Sequence, residues 1–188
     1  MAKDFGELVL VLGDAHIPHR AGFIPDKFQR MLVPNKMQHV ICTGNLATRE
    51  QYEEIRSLAP SSHIVCGDFD EGQAFPETKV VTIGDFKIGI VHGHQVVPWG
   101  DPHSLSMVQR RLDVDILVSG HTHKNEVSEV DGKWFINPGS ITGAYSSLQA
   151  DVVPSFILLA VQGSKVVTYV YELHGDTVEV SKSEFSKA

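Results

Sequence analysis

Five short apolar runs in this chain each end beside a glycine and a side chain that can bind a metal ion. The runs lie at residues 8–12, 40–43, 64–66, 88–91 and 116–119. If they are neighbouring buried strands, their carboxyl ends meet where open α/β sheets hold their ligands. The glycines allow sharp turns that leave the next side chain free to enter a shared crevice. The pattern therefore predicts one polar site built from the ends of several strands.

Size and charge limit the classes of protein to which the chain can belong. Its 188 residues are enough for one domain, predicted over 1–188, with a substantial core. The net charge of −7 and the pI near 5.8 disfavour nucleic acid as a partner, because a nucleic-acid-binding surface needs a basic face. No apolar run approaches the roughly 20 residues of a membrane span. Residues 1–7 read as a polar lead-in without signal-peptide character. We therefore expect no direct membrane insertion.

The two cysteines indicate the redox environment. Cys42 and Cys66 both lie inside apolar runs, where they are expected to be buried. Two buried thiols are typical of a reducing, cytosolic setting rather than of a disulfide framework.

The first half of the chain alternates strands with helices. Helices are expected to begin at Pro25, at Thr48, with Gln51 completing a capping box, and at Asp101-Pro102. In the first helix, Met31 and Leu32 are expected to share a buried face with Phe28, and Pro34 is expected to end it.

The second half of the chain reads as meandering strands. These are predicted at 126–130, 133–136, 156–161, 166–171 and 177–180. A hairpin from 80–83 and 87–91 is predicted before them, in the first half of the chain, between the third strand and the third helix. Helix-linked strands followed by meandering strands indicate an α/β protein with two packed mixed sheets flanked by helices.

The polar side chains at the ends of the apolar runs form a candidate metal site. The candidates are Asp14, His16, Asn45, Asp68, His92, His121 and His123. Oxygen and imidazole ligands of this kind suit Zn or Mn. Seven candidates are more than one ion needs, so two divalent ions are expected. Paired ions bind a bridging water, lower its pKa and hold a phosphoryl group for attack.

The order of these motifs resembles that of the calcineurin-like metallophosphoesterases. The matching segments are Asp14-x-His16, Gly44-Asn45, Gly67-Asp68-x-Asp70, His92-Gly93-His94, Gly120-His121-Thr122-His123 and Asn137-Pro138-Gly139-Ser140. The resemblance implies an αββα sandwich. It also implies that Asp14, His16 and His123 hold one metal, that Asp68, His92 and His121 hold the second, and that Asn45 stands at the bridging position.

Three departures from the family pattern bear on catalysis. The bridging Asp of the family is Asn45 here, and an amide bridges cations poorly because it offers one neutral oxygen. The family's Gly-Asn-His motif reads Gly67-Asp68-Phe69 in this chain. Asp68 restores the negative charge that Asn45 lacks. Phe69 replaces the histidine that is expected to protonate the leaving oxygen, a contribution typically worth about 10²–10⁴ in rate. We therefore expect no catalytic residue here and impaired catalysis.

Longer segments resemble one branch of this family, the small subunits of retromer, the endosomal cargo-sorting coat. They are 14–20, 42–46, 92–101 and 119–124. The resemblance implies a non-catalytic scaffold for endosome-to-Golgi and recycling transport, which binds the C-terminal α-solenoid of the large retromer subunit over the degenerate metal pocket. It implies a cytoplasmic protein that reaches endosome membranes peripherally, through the complex.

Two apolar surfaces are candidates for partner binding. The first is a rim beside the metal pocket, formed by Val96, Val97, Pro98 and Trp99 with Phe69. The alternative is a loop that packs into the core of its own domain.

The second candidate surface lies in the late strands, where residues 156–161 are apolar at every position. The resemblance implies a patch around Leu158, with neighbours Leu8, Leu32, Tyr171 and Val180, that binds regulators of endosomal GTPases. Burial of this segment under a helix is the alternative.

A different function also fits the metal motifs. The chain reads alternatively as an active dimetal phosphodiesterase, because related small phosphodiesterases lack the proton-donating histidine and still hydrolyse activated esters. Glycine fingerprints of serine hydrolases, P-loop enzymes and dinucleotide-binding enzymes do not occur in the sequence.

Overall fold

The computed structural model of this protein describes residues 6–72 and 74–188. Most of the predicted lead-in 1–7 lies outside the described residues, and so do residues 1–5 and 73 of the predicted domain 1–188, which stays a prediction. The described strands are β1 (Glu7–Leu12), β2 (His39–Cys42), β3 (Ser61–Ile64), β4 (Thr78–Ile83), β5 (Phe86–Val91), β6 (Ile116–Ser119), β7 (Glu126–Val130), β8 (Lys133–Asn137), β9 (Ser155–Gln162), β10 (Lys165–His174) and β11 (Thr177–Ser186). The helices are α1 (Asp26–Gln29), α2 (Arg49–Arg56) and α3 (Pro102–Leu112).

The strands form two mixed sheets. The first has the order β11-β10-β9-β1-β2-β3, and the second has the order β4-β5-β6-β8-β7. Strands β1, β2 and β3 are parallel to one another, as are β5, β6 and β8. The remaining neighbours are antiparallel hairpins or returns. The parallel strands are therefore interior in both sheets, except for β3 at an edge.

Three apolar layers hold the two sheets and the helices together. Val9 and Val11 of β1 pack against Ile88 and Ile90 of β5 in the core between the sheets. The outer face of the first sheet is covered by α1 and α2, and that of the second by α3. Alternate residues of β1 therefore serve different layers. This arrangement confirms the predicted α/β fold with an αββα sandwich.

The predicted helix starts at Thr48 and Asp101 are confirmed. The Thr48 hydroxyl accepts a hydrogen bond from the Gln51 N–H at 3.4 Å, and the Asp101 carboxylate accepts one from the Ser104 N–H at 2.9 Å. Each bond satisfies one of the amide groups that the first helical turn leaves without a partner.

Four local predictions were wrong: the end of the first helix, the burial of Met31, the bounds of the third strand and the burial of Cys66. α1 ends at Gln29 rather than near Pro34, and Met31 is exposed because the chain leaves the helix one turn earlier than expected. The third strand was predicted from the apolar run 64–66, but β3 is Ser61–Ile64. The N–H of Cys66 bonds to the Pro76 carbonyl at 2.9 Å, so this residue leaves the parallel ladder, and its thiol is partly exposed rather than buried.

The described residues contain no helix with the length and apolar character needed to cross a membrane.

Candidate functional site

The predicted polar crevice lies at the carboxyl ends of strands from both sheets. β1, β2 and the loop after β3 contribute from the first sheet, and β5 and β6 contribute from the second. The five chain segments therefore converge as predicted. They meet where the carboxyl ends of strands from both sheets lie side by side, rather than along the edge of a single sheet. A hydrogen bond from the Asp14 N–H to the Gly44 carbonyl, at 2.9 Å, joins the first two of these loops.

Glycine is required where these loops approach one another. A Cβ at Gly67 would lie 2.1 Å from Oδ1 of Asn45, far inside contact distance. Gly44 has φ +101°, a conformation that side chains with a Cβ rarely adopt. These two positions bring Asn45 and Asp68 close enough for a direct hydrogen bond between their side chains.

Two buried histidines lie close to one oxygen of a buried carboxylate. Oδ1 of Asp14 lies 3.7 Å from Nε2 of His16 and 3.5 Å from Nε2 of His123, and all three residues are buried. His123 donates from Nδ1 to the Ala144 carbonyl at 2.5 Å, which turns its Nε2 towards Asp14. Ring orientation by a second hydrogen bond of this kind is typical of metal-binding histidines.

A second cluster lies beside the first. Oδ1 of Asp68 is 3.3 Å from Nε2 of His92 and 4.0 Å from Nδ1 of His121. His92 donates from Nδ1 to the Thr43 carbonyl at 2.6 Å. His94, which was not predicted to be a ligand, also has a ring nitrogen within 4.8 Å of the Asp68 and His92 ligand atoms. The structure therefore brings all seven predicted candidates together and adds His94.

Asn45 lies between the two clusters. Its amide nitrogen donates to Oδ1 of Asp68 at 2.8 Å and contacts Nε2 of His92 at 3.0 Å. Its amide oxygen accepts from the Phe69 N–H at 2.9 Å. To bridge two cations, the amide oxygen of Asn45 must point towards them. The amide group must therefore rotate, which breaks its hydrogen bond with the Phe69 N–H. Asn45 as a bridging ligand stays a prediction.

The electrostatics of the site keep both carboxyl groups ionised. Burial alone raises the pKa of Asp14, but the neighbouring His92, His123 and His16 hold it well below its usual range. Burial likewise raises the pKa of Asp68, while hydrogen bonds from His92 and Asn45 lower it further than burial raises it.

The histidines divide into two electrostatic classes. Burial lowers the pKa of His92, but the Asp14 and Asp68 carboxylates outweigh burial and raise it. Burial and the adjacent His92 lower the pKa of His121 to about 4, and the same two causes lower that of His94. The two carboxylates therefore favour a proton on His92, and a charge there disfavours protonation of His121 and His94.

The donor set fits a divalent metal ion. Oδ1 of Asp14 and Nε2 of His16 are buried without a hydrogen-bond partner among the described residues. Buried polar atoms without partners are costly, and a cation at this place satisfies both. Carboxylate oxygen with imidazole nitrogen is a ligand set that suits Zn or Mn. Bound metal ions supply a water of lowered pKa and polarise a phosphoryl group.

Asp70 is a positioning residue that the sequence analysis left without a role. Its buried carboxylate accepts hydrogen bonds from the N–H groups of Asn45, at 2.7 Å, Gly67, at 2.8 Å, and Ala47, at 3.3 Å. It ties the loop after β2 to the loop after β3. The fourth position of the motif Gly67-Asp68-x-Asp70 was the signal available in the sequence.

The mouth of the pocket is apolar and exposed. Phe69 is 50% exposed, Val97 73% and Trp99 42%, and Pro98 is also exposed. The Trp99 ring lies edge-on to His121 with 4.3 Å between ring centroids. Val96 was predicted to belong to this rim, but it is buried, because the tight turn closed by its N–H and the Gly93 carbonyl directs it inward. We therefore define the pocket rim as Phe69 and Trp99, which line the metal pocket, with the adjoining exposed residues Val97 and Pro98, which lie outside its lining.

The second predicted surface forms a hollow of about 400 Å³ on the outer face of the first sheet. Leu8, Leu32, Leu158 and Tyr171 are partly buried in its lining, so the prediction of full burial under a helix does not hold. Val180 is 50% exposed and pairs with Tyr171 across β10 and β11. We call these five residues the Leu158 surface.

Comparison with known proteins identifies the family. Residues 8–164 match the calcineurin-like phosphoesterase superfamily domain. Vacuolar protein sorting-associated protein 29 of Schizosaccharomyces pombe is 43% identical over 184 residues, which cover 96% of this chain and 98% of that protein. Vps29 of Cryptosporidium parvum has 50% identity and a TM-score of 0.95, with 98% and 100% of the two chains covered.

A Vps29 structure with metal extends this comparison. Vps29 of Entamoeba histolytica, solved in complex with Zn²⁺, has 52% identity and a TM-score of 0.90 over 94% of this chain and 98% of that one. The superfamily resemblance carried by the motifs is confirmed. The chain therefore belongs to the calcineurin-like phosphoesterase superfamily and, within it, to the family of Vps29 proteins.

Proposed function

We propose that this chain is a non-catalytic scaffold subunit of retromer, which uses the rim of its metal pocket to bind the C-terminal α-solenoid of the large retromer subunit. Membership of the Vps29 family supports a role in vacuolar protein sorting. The observation that carries the proposal is Phe69, which stands half-exposed where the resemblance expects a proton donor. One substitution thus removes a catalytic group and adds an apolar contact for a partner.

The pocket rim has the composition of a docking surface. Phe69, Val97 and Trp99 are large, exposed apolar side chains. Phe69 and Trp99 line the metal pocket, and Val97, two residues before Trp99, lines the neighbouring hollow. Aromatic and aliphatic anchors that become fully desolvated supply most of the binding energy at protein interfaces. The contact between Trp99 and His121 joins this rim to the metal pocket. A partner seated here covers the pocket, which is a poor arrangement for an enzyme that must admit substrate.

We propose that the pocket holds two divalent ions, Zn or Mn, through the predicted ligands. The unpartnered atoms of Asp14 and His16 support the first position. The cluster of Asp68 with His92 and His94 or His121 supports the second. The Zn²⁺ complex of the Entamoeba histolytica protein supports zinc as a metal for this fold.

The Leu158 surface is proposed to bind regulators of endosomal GTPases. The hollow lies at the amino end of β1, where Leu8 and Leu10 contribute to its wall, whereas Asp14 follows the carboxyl end of the same strand. A scaffold with two separate surfaces can hold the solenoid and a regulator at once. We propose that the protein reaches endosome membranes through this assembly.

Replacing Asp14 tests the metal site. Asp14→Asn keeps the shape of the side chain but removes the charge that faces three histidines. We expect its Zn²⁺ affinity, measured by isothermal titration calorimetry, to fall by more than about 100-fold, because even the loss of an outer ligand partner typically costs about 10–100-fold. Asp131→Asn, in the exposed β7–β8 turn, is the matched control and should bind like the wild type. Equal affinities of Asp14→Asn and the wild type contradict the ligand assignment.

A charge on the pocket rim tests the scaffold. Val97→Asp should weaken binding of the purified C-terminal half of the large retromer subunit by about 30-fold or more, as expected when a hot spot worth about 2 kcal/mol is lost. Val180→Asp makes the same change on the Leu158 surface and should leave this affinity unchanged. If Val97→Asp binds the solenoid as tightly as the wild type does, the rim is not the interface.

Hydrolysis measurements separate the scaffold from the alternative phosphodiesterase. With Zn²⁺ or Mn²⁺ and bis(4-nitrophenyl) phosphate, we expect turnover well below about 1 s⁻¹, the low end for ordinary enzymes. Phe69 offers no proton to a leaving group. Turnover above that level in the wild type, lost in Asp14→Ala, contradicts the non-catalytic part of the proposal.

Replacing Leu158 tests the second surface. Leu158→Asp should abolish binding of a purified GTPase regulator that the wild type binds, because it places a carboxylate in an apolar hollow. The same variant should bind the solenoid normally, whereas Val97→Asp should show the opposite pattern. Hydrogen exchange that shows Leu158 unprotected by such a regulator would remove this surface from the proposal.

A further inference from the structure

Arg20 stands at the mouth of the metal pocket and is held there by two aromatic rings. Its guanidinium carbon lies 4.7 Å from the centre of the Phe69 ring and 5.2 Å from that of Tyr145. Nη1 donates to the Tyr145 carbonyl at 2.9 Å. The Arg20 N–H also bonds to the carbonyl of His16, at 2.9 Å, so the residue is fixed relative to a predicted metal ligand. This guanidinium is positioned before any partner arrives.

Most of the hydrogen-bonding capacity of Arg20 is unused. A guanidinium has five N–H donors, and within residues 6–72 and 74–188 the bond to Tyr145 is its one side-chain hydrogen bond. The rings of Phe69 and Tyr145 offer the cation π-electron density but no hydrogen-bond acceptor along its edge. In the free protein, water serves the remaining donors.

Arg20 is also the one arginine or lysine among the described residues that line this pocket of about 200 Å³. The other lining residues are histidines, small polar residues, Asp68 and the apolar groups Phe69, Trp99 and Leu148. Leu148 and Tyr145 are more than half exposed, so apolar surface surrounds the cation on the side of the 145–148 loop as well.

A partner that covers this apolar surface removes the water from Arg20. A buried cation without an anion is strongly unfavourable, whereas a guanidinium paired with a carboxylate forms short, often bidentate hydrogen bonds. The covering surface must therefore bring acceptors to the free edge of the guanidinium. We propose that Arg20 anchors an acidic side chain, Asp or Glu, of the partner that docks on the pocket rim. The inference rests on the scaffold function proposed above and adds the chemistry of the contact.

The charge of the whole chain makes this contact specific. With a net charge of −7, the protein as a whole repels acidic surfaces. An acidic side chain is therefore favourable on this face where it meets Arg20 and is disfavoured when it is displaced from it. Charge pairs of this kind fix the register of an interface more than they raise its affinity.

The experiment measures affinity for the C-terminal half of the large retromer subunit across salt concentrations. Arg20→Gln should weaken binding by about 30-fold or more, the usual cost of removing one member of a buried charge pair. Arg20→Lys keeps the charge without the planar fork and should lose less. Lys182→Gln removes an equal charge on exposed β11 and should bind like the wild type. The wild-type affinity should also fall more steeply with salt than that of Arg20→Gln.

Tyr145→Ala separates charge recognition from loop positioning. It removes one ring beside Arg20 but leaves the guanidinium, so the steep salt dependence should remain. Equal losses in Tyr145→Ala and Arg20→Gln, with the same salt dependence, would mean that Arg20 acts by holding the 145–148 loop, and would overturn the anchor.

Two further outcomes count against the proposal in different ways. If the wild type and Arg20→Gln bind the solenoid equally well, the anchor is wrong and the scaffold stands. If the wild type does not bind the solenoid, the scaffold fails and the anchor fails with it. If Arg20→Gln does not fold, Arg20→Lys still tests the anchor: an affinity equal to that of the wild type, together with a wild-type affinity that does not change with salt, would overturn it.

Discussion

The arrangement of the site depends on the contacts that the buried residue Asp14 makes. It follows the end of β1, and its Oδ2 accepts the N–H of His121, which follows β6 in the other sheet, at 2.9 Å. The backbone carbonyl of Asp14 accepts the Ser140 hydroxyl at 2.7 Å. One residue thus links both sheets and a third loop. Its remaining oxygen, Oδ1, faces three imidazoles, and the geometry of the metal pocket follows from this link.

The chemistry of the site depends on where its negative charge lies. Position 45 carries a neutral amide, and the negative charge lies on the neighbouring side chain of Asp68. An amide lies between the clusters, where the resemblance to the calcineurin-like metallophosphoesterases implies an Asp, and a carboxylate lies where that resemblance implies an Asn. In space the two side chains are direct hydrogen-bond partners, Asn45 with Asp68 at 2.8 Å. The pair of side chains therefore keeps one negative charge, but the bridging position, Asn45, carries none. This arrangement keeps candidate ligands for metal and places the ring of Phe69, which carries no proton donor, at position 69; both features support the proposed scaffold.

The strand ends could be predicted because glycines and polar residues mark them, and local signals also located the caps at Thr48 and Asp101. The features that failed depend on the path of the chain rather than on residue type. Val96 and Val97 are both apolar, but the tight turn before them leaves Val96 buried and the next residue, Val97, exposed. Cys66 follows apolar residues, yet a bond to the Pro76 carbonyl takes it out of the sheet. His94 and Arg20 acquire their places from segments distant in sequence, which no local pattern encodes.

The two proposed partner surfaces lie towards opposite ends of one strand. Leu8 and Leu10 of β1 contribute to the hollow beside Leu158, and Asp14 directly follows the opposite end. At about 3.3 Å per residue, the six residues from Leu8 to Asp14 separate the two places by roughly 20 Å. Mutations at positions further than about 7–10 Å apart that share no contacts usually have additive effects, so a change at one proposed surface should leave the other unaffected. β1 lies in the interior of a six-stranded sheet with neighbours on both sides. The two proposed surfaces are therefore placed at opposite ends of an interior strand, which is compatible with the proposal that one scaffold holds two partners at once.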